Sequence, residues 1–377
     1  MKILNVIENI DEKTGGGAAE RSRQISLHLS NLGHDVKILT TNVHLSTSHN
    51  ESLYPLNLEA LPCINSRFYI PYPSLRRINK LIKEADVIQL FSHWTILNAI
   101  AFLMIKLNKK PYAVTPLGAL PIFGRSSFIK KIYNLLLGDR IINNANKCFI
   151  ATKGEIEALT LYGVDSKKIN HLPNGINEED YLLKYDSSFR SRLKIGNNPY
   201  ILFIGRLNPI KAPDILLKAF IKINKDYPEV NLVFIGPDEG MLEGLKKLAR
   251  DNLNGNKVHF LGYVSKSDKA ALAKSCLFLT VPSHQEAMSI VVLEAGISGR
   301  PALITDQCGF NEVEEVGGGY VVKAKIESIT EGIYKMLQNK KSLDLMGQKL
   351  QNKIKKDYLW SQSSKMHEKI FIEMINP

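Results

Sequence analysis

The chain has 377 residues, 44% of them hydrophobic and 23% charged, with a formal net charge of +12. That length exceeds what a single core usually serves, and the composition is that of a globular protein with little room for disorder. No run approaches the roughly 18 apolar residues that a membrane span needs, and the apolar start "MKILNVIE" is too short for a signal sequence, so a cytoplasmic protein is expected.

In chain order, "MKILNVIE" predicts a strand, "TGGGAAE" a glycine loop, and "AERSRQISLHLSNLG" a helix stopped at Gly33. Strand "DVKILTT", strand "ADVIQLF", helix "ILNAIAFLMIKLNKK" and strand "PYAVTP" follow, and "KCFIAT", "GEIEALTLYG" and "KINHLPNG" continue the alternation. A polar stretch near residues 176–198 interrupts the pattern, which restarts at strand "YILFIGRL" and alternates through "PALITD" and "GYVV". Alternating strands and helices predict parallel sheets covered on both faces, and the restart predicts two such domains, facing each other across a cleft lined by the carboxyl ends of their strands. The chain closes on the amphipathic segment "SQSSKMHEKIFIEMI".

Charge and cysteines narrow the function classes. Between Arg67 and Arg140 twelve basic residues face three acidic ones, a local excess of +9 that suits an anionic lipid surface, a phosphorylated substrate or nucleic acid. Nucleic acid is not expected, because the basic residues are not interleaved with aromatics as in RNA-binding modules. Cys63, Cys148, Cys276 and Cys308 are dispersed, without metal-like spacing, and read as buried free thiols.

Three loops carry the chemistry. In "TGGGAAE" the glycines let the backbone approach a phosphate at a helix start, but Glu20 stands where a dinucleotide fingerprint needs its third glycine. In "GRLNPIKAPD" Arg206 and Lys211 follow a strand five residues apart, a guanidinium fork and a point charge suited to a diphosphate. In "PSHQEAMSIVVLEAGISGRP" Glu286 and Glu294 bracket an apolar run. With Ser289 as a helix cap, the free N–H groups beyond it would receive phosphate, and the carboxylates would accept hydrogen bonds from sugar hydroxyls.

"FIGRLNPIKAPDILLKAF", "VHFLGYV" and "VPSHQEAMSIVVLEAGISGRPALITD" resemble the C-terminal half of the retaining glycosyltransferases of family 4, and "GGGAAERSRQISLHLSNLGHDVKILT" with "HLPNGIN" resembles its N-terminal half. The resemblance implies an α/β GT-B fold of two facing Rossmann-like, doubly wound domains. Residues 1–186, joined by a returning helix at 358–377, would bind the acceptor, and 187–357 the nucleotide-sugar donor. It further implies that Arg206 and Lys211 hold the donor diphosphate, Glu294 the ribose and Glu286 the donor sugar. The amides around Ser289 and Ile290 would assist the phosphates, Gly16 and Gly17 would approach from the first domain, and the backbone at Tyr263 and Val264 would border the base.

The chain departs from the family in having Ala287 and Ser289 where glycines are common, and Leu117 in "TPLGAL" where many members carry a histidine. Leu117 and His93, in "FSHWT", are the acceptor-side candidates.

With no Asp-x-Asp element, a transferase without metal or other cofactor is expected, its leaving group neutralised by Arg206, Lys211 and a helix N-terminus, with Glu286 at the donor sugar. A glycan or polyprenyl-diphosphate-linked acceptor, met at an anionic membrane surface by "FGRSSFIKKIYNLLLG", completes the expectation. The alternatives are a phosphorylase or epimerase on the same fold, or a non-catalytic nucleotide-sugar-binding protein.

Overall fold

The structure, a computed structural model, describes residues 1–11, 14–43, 45, 56–65, 69–122, 127–182, 188–286 and 288–376. The chain forms two compact units, Met1–Asn174 with Trp360–Pro377, and Gly175–Leu359. The division precedes residue 186 because the polar stretch is tied to the second unit: Ile176 N donates to Tyr358 O at 2.9 Å and Lys355 pairs with Glu178 at 2.8 Å.

The first unit begins β1 (Lys2–Val6), α1 (Gly16–Asn31), β2 (Asp35–Thr41) and β3 (Asn57–Leu61), then a short antiparallel pair, β4 (Cys63–Asn65) and β5 (Ile70–Pro71). It continues through α2 (Leu75–Glu84), β6 (Val87–Phe91), α3 (Ile96–Asn108), β7 (Tyr112–Thr115), α4 (Ser127–Tyr133), α5 (Asp139–Asn143), β8 (Lys147–Ile150), α6 (Glu155–Leu161) and β9 (Ile169–His171). Its parallel sheet has the order β3-β2-β1-β6-β7-β8-β9. All five residues of β6 are buried, as expected of a central parallel strand covered on both faces. Helix α3 starts at Thr95, whose hydroxyl accepts from Asn98 N at 3.1 Å.

The second unit comprises α7 (Glu179–Leu182), α8 (Phe189–Arg192), β10 (Tyr200–Ile204), α9 (Pro213–Ile223), β11 (Asn231–Ile235), α10 (Leu242–Asn252), β12 (Val258–Phe260) and α11 (Lys266–Ser275). It ends with β13 (Phe278–Val281), α12 (Ile290–Ile297), β14 (Ala302–Thr305), α13 (Glu312–Glu315), β15 (Gly319–Val322), α14 (Ile326–Gln338) and α15 (Leu343–Asp357). Its six strands, all parallel, run β12-β11-β10-β13-β14-β15. Their core is aromatic and branched, with Phe203, Phe220, Phe234 and Phe278 fully buried.

The last helix, α16 (Trp360–Ile375), belongs to the first unit. Trp360, Phe371 and Met374 pack with Ile25 and Leu29 of α1 and Phe149 of β8. Beneath it Arg21, fully buried, donates to Asn174 Oδ1 at 2.7 Å and Leu172 O at 2.6 Å. Three of the free cysteines are buried as expected, whereas Cys63, on the short pair beside the main sheet, is only half-buried.

Candidate functional site

In an open parallel sheet the strand order reverses at one point, and the loops leaving the two strands there diverge to opposite faces and open a crevice. In the second unit that point lies between β10 and β13. The loop after β10 carries Arg206 and Lys211, and the loop after β13 carries Glu286, so topology alone brings together residues 75 positions apart.

Backbone contacts fix this crevice. Gly236 follows β11 with φ +132°, and a Cβ there would lie 2.1 Å from Gly205 O, so only glycine lets the chain after β10 leave at this angle. His284 N donates to Ile210 O at 2.8 Å and joins the two loops directly. Ala212, at φ +51°, turns the β10 loop into α9, a strained conformation for a residue with a side chain.

The side chains form two linked groups. Arg206 Nη1 lies 2.9 Å from Glu239 Oε1, and Asn208 donates to Glu239 Oε2 at 2.7 Å while accepting from Lys211 N at 2.9 Å. Asn208 first, and Arg206 after it, hold the Glu239 carboxyl below the usual carboxylate range. Arg206 is 43% exposed, leaving its guanidinium open to solvent. Lys211 Nζ pairs with Glu286 Oε1, which also accepts from Ser283 Oγ at 3.0 Å.

Ser289 is the N-cap of α12 as expected, but its hydroxyl makes no capping bond and is buried without a partner. The cap position thus leaves the first N–H groups of α12, beginning at Ile290, without the side-chain acceptor that a serine usually supplies. Ala287, the neighbouring departure from the family, lies outside the described residues.

Glu294 sits within α12, its side chain 7% exposed, with Oε1 at 2.6 Å from Lys269 Nζ of α11 and Oε2 buried without a partner. Burying a carboxylate among Val292, Leu293 and Ala295 requires such a partner. Lys269 carries no sequence signal, because its contact spans 25 residues and two helices. Tyr263 is exposed and Val264 half-buried, both just past edge strand β12, two strands away from the point of reversal.

In the first unit Gly16 opens α1 at φ +59° with nothing near a would-be Cβ, and Gly17 is equally open. Leu117 follows β7 at φ +58° and packs with Ile7, Ile10, Ile38 and Phe91.

His93 follows β6 but does not reach solvent: it is 1% exposed, with its ring edge-on to Trp94, Tyr133 and Tyr162. Its Nε2–H donates to Asn134 Oδ1 at 3.0 Å, since the amide of Asn134 donates to Tyr162 OH at 2.5 Å; Nδ1 is buried without a partner. Burial lowers the imidazole pKa to about 4, so His93 is neutral at pH 7.

Residues 185–354 match the family described as glycosyl transferases group 1, and residues 15–180 match glycosyltransferase family 4. An uncharacterized glycosyltransferase of Methanocaldococcus jannaschii is 25% identical over 385 residues, 96% of each chain. Among solved structures, Anabaena HepE in complex with UDP and glucose aligns with a TM-score of 0.81 over 99% of this chain and 100% of its own, at 18% identity. WaaG, a glycosyltransferase involved in lipopolysaccharide biosynthesis, aligns at 0.71 over 97% and 98%, with 19% identity. These two likenesses are of fold. With one family match on each unit and only a short gap between them, the chain belongs to the glycosyltransferases of family 4, glycosyl transferases group 1.

Proposed function

We propose that the protein is a retaining, metal-independent glycosyltransferase that moves a sugar from a nucleotide-diphosphate sugar to a hydroxyl of a glycan or lipid-linked acceptor in surface polysaccharide, lipopolysaccharide or capsule synthesis. One observation carries this: Arg206, Lys211 and Glu286 converge at the strand-order reversal of the second unit. There a diphosphate would meet a guanidinium, an ammonium and, if the first amides of α12 turn to it, a helix N-terminus, so the charge of the leaving group is neutralised by fixed protein groups.

The C1–O bond to the diphosphate breaks, an oxocarbenium-like sugar forms, and the acceptor hydroxyl attacks the same face. Its proton passes to the departing phosphate oxygen, so no protein base is required. Glu286 borders the donor sugar and Glu294 accepts from the ribose hydroxyls. That HepE was solved with UDP and glucose supports a nucleotide-sugar donor.

A thermal-shift panel of nucleoside diphosphates and their sugars, run with EDTA present, tests this. A ligand at a hundred times its dissociation constant adds about 2.7 kcal/mol of stability. No shift with any nucleotide would refute the proposal, and shifts that vanish with EDTA would refute metal independence.

The acceptor's setting is read from α4 and the π-helical turn Asn134–Gly138 that follows it. Phe128, Ile129, Ile132, Leu135 and Leu136 are exposed, Leu135 by 78%, and Lys130 and Lys131 lie among them. The helix does not pack these side chains on the sheet, which supports the reading of a surface that rests on anionic lipid. Arg67 and Arg125 of the basic segment lie outside the described residues. Among the described residues no helix is long and apolar enough to cross a membrane. Sedimentation with anionic liposomes at low salt, reversed at high salt, is the expected result; no binding at either salt overturns it.

A further inference from the structure

The first unit has its own strand-order reversal, between β1 and β6. Where the second unit bridges this point with Lys211 and Glu286, the first bridges it with Glu8 and Ser92, which follow β1 and β6: Ser92 Oγ donates to Glu8 Oε1 at 2.9 Å. Glu8 is anchored on its other side, its carbonyl accepting from Thr41 Oγ1 of β2 at 2.7 Å, so the side chain is turned toward β6. Its second oxygen, Oε2, is buried and has no hydrogen-bond partner.

Ser92 holds φ +64°, a conformation that costs a non-glycine residue energy and persists only where the surroundings enforce it. Leu117, left-handed at the end of the adjacent strand β7, repeats the strain next door, as Ala212 does beside the crevice of the second unit. Strained backbone thus occurs beside both strand-order reversals, although Tyr69, Lys109 and Lys194 hold positive φ elsewhere.

The chemistry of the two points differs. No described cation pairs with Glu8, and burial raises its carboxyl pKa above the ordinary value, which favours the neutral acid. A carboxyl and a hydroxyl do not neutralise phosphate. They match groups that donate and accept at once, which are the hydroxyls of a sugar.

We propose that Glu8 and Ser92 bind hydroxyl groups of the acceptor sugar, with the unpartnered Glu8 Oε2 as the oxygen that a sugar hydroxyl would satisfy. This rests on the transferase reading and extends it to residues that nothing in the sequence marks. Both are binding residues; no proton transfer is assigned to them.

The test is saturation-transfer NMR on the full chain with excess UDP and, in separate tubes, the methyl glycosides of glucose, galactose, mannose and N-acetylglucosamine. At least one glycoside receives saturation from the wild-type protein, and its signal falls about fivefold in E8A and in S92A, the loss of one hydrogen bond. E8Q keeps most of the signal, because the amide keeps the shape of the carboxyl and an oxygen that accepts from a sugar hydroxyl. The UDP signal stays unchanged in all three, and the fluorescence of Trp94 and Trp360, both in the first unit, reports that this unit is folded in each.

If E8A fails to fold, E8Q and S92A still decide. UDP bound with no glycoside signal in the wild type, or with equal glycoside signals in wild type and S92A, overturns the proposal and leaves the transferase reading standing. No UDP signal from the wild type overturns both.

Discussion

The two units share a topology and differ in what they put at its reversal. The second unit lines that point with Arg206, Lys211 and two carboxylates, each in an ion pair. The first lines it with Glu8, Ser92 and a ring-enclosed His93, among whose described contacts no ion pair occurs. In the reading proposed above, one crevice takes anions and the other neutral polar groups, so that one fold would supply two chemistries by changing only the residues that follow its strands.

The contrast can be broken most directly in the second unit. R206A and K211A are each expected to lower transfer on the order of 10² to 10³, measured as kcat with the donor that the thermal-shift panel identifies. Near wild-type turnover in both would remove the cationic half of the contrast. A smaller effect is expected at Lys269. K269M strands the buried Glu294 and should weaken UDP binding about tenfold by calorimetry, with K269R recovering most of it. If K269M binds UDP as the wild type does while E294Q does not, the lysine is dispensable to the site.

The third effect concerns stability and belongs to the first unit. Burial lowers the His93 pKa to about 4, and burial with the nearby Arg21 lowers that of His367 to about 3. An unfolded histidine takes up a proton near pH 6.5, and the folded ones do so only well below that. The unfolded state therefore binds more protons across this window, and stability falls as pH drops from 6.5 toward 4, by at most about 1.4 kcal/mol per pH unit for each histidine. Both tryptophans, Trp94 and Trp360, lie in this unit, so their fluorescence follows it alone. The urea midpoint seen by tryptophan should drop between pH 7 and pH 5; an unchanged midpoint contradicts the assignment.

The main sheet strands other than β3 were legible because buried parallel strands are short apolar runs between turn residues, as "YILFI" and "NLVFI" are. Arg206, Lys211, Glu286 and Glu294 were legible as types in loops and helix starts next to strands. Helices α14 and α15 were not read, although Ile329, Ile333, Met336 and Leu337 mark a buried stripe at helical spacing in α14. Glu8, Ser92 and Lys269 could not be read, since each matters through a partner 25 or 84 residues away. His93 shows the opposite limit: its sequence neighbourhood gives no sign of the tyrosines, Tyr133 and Tyr162, that enclose it.

Helix α16 closes the unit that β1 begins, so Gly175–Leu359 is threaded into the first unit as an insertion. On the ribosome the inserted unit has all of its chain before the outer one does, reversing the usual order in which the leading domain of a nascent protein matures first. Until Trp360 and Phe371 emerge, Ile25, Leu29 and Phe149 lack their cover. A chain cut just before Trp360 would therefore keep the inserted unit whole and leave the outer one without its cover.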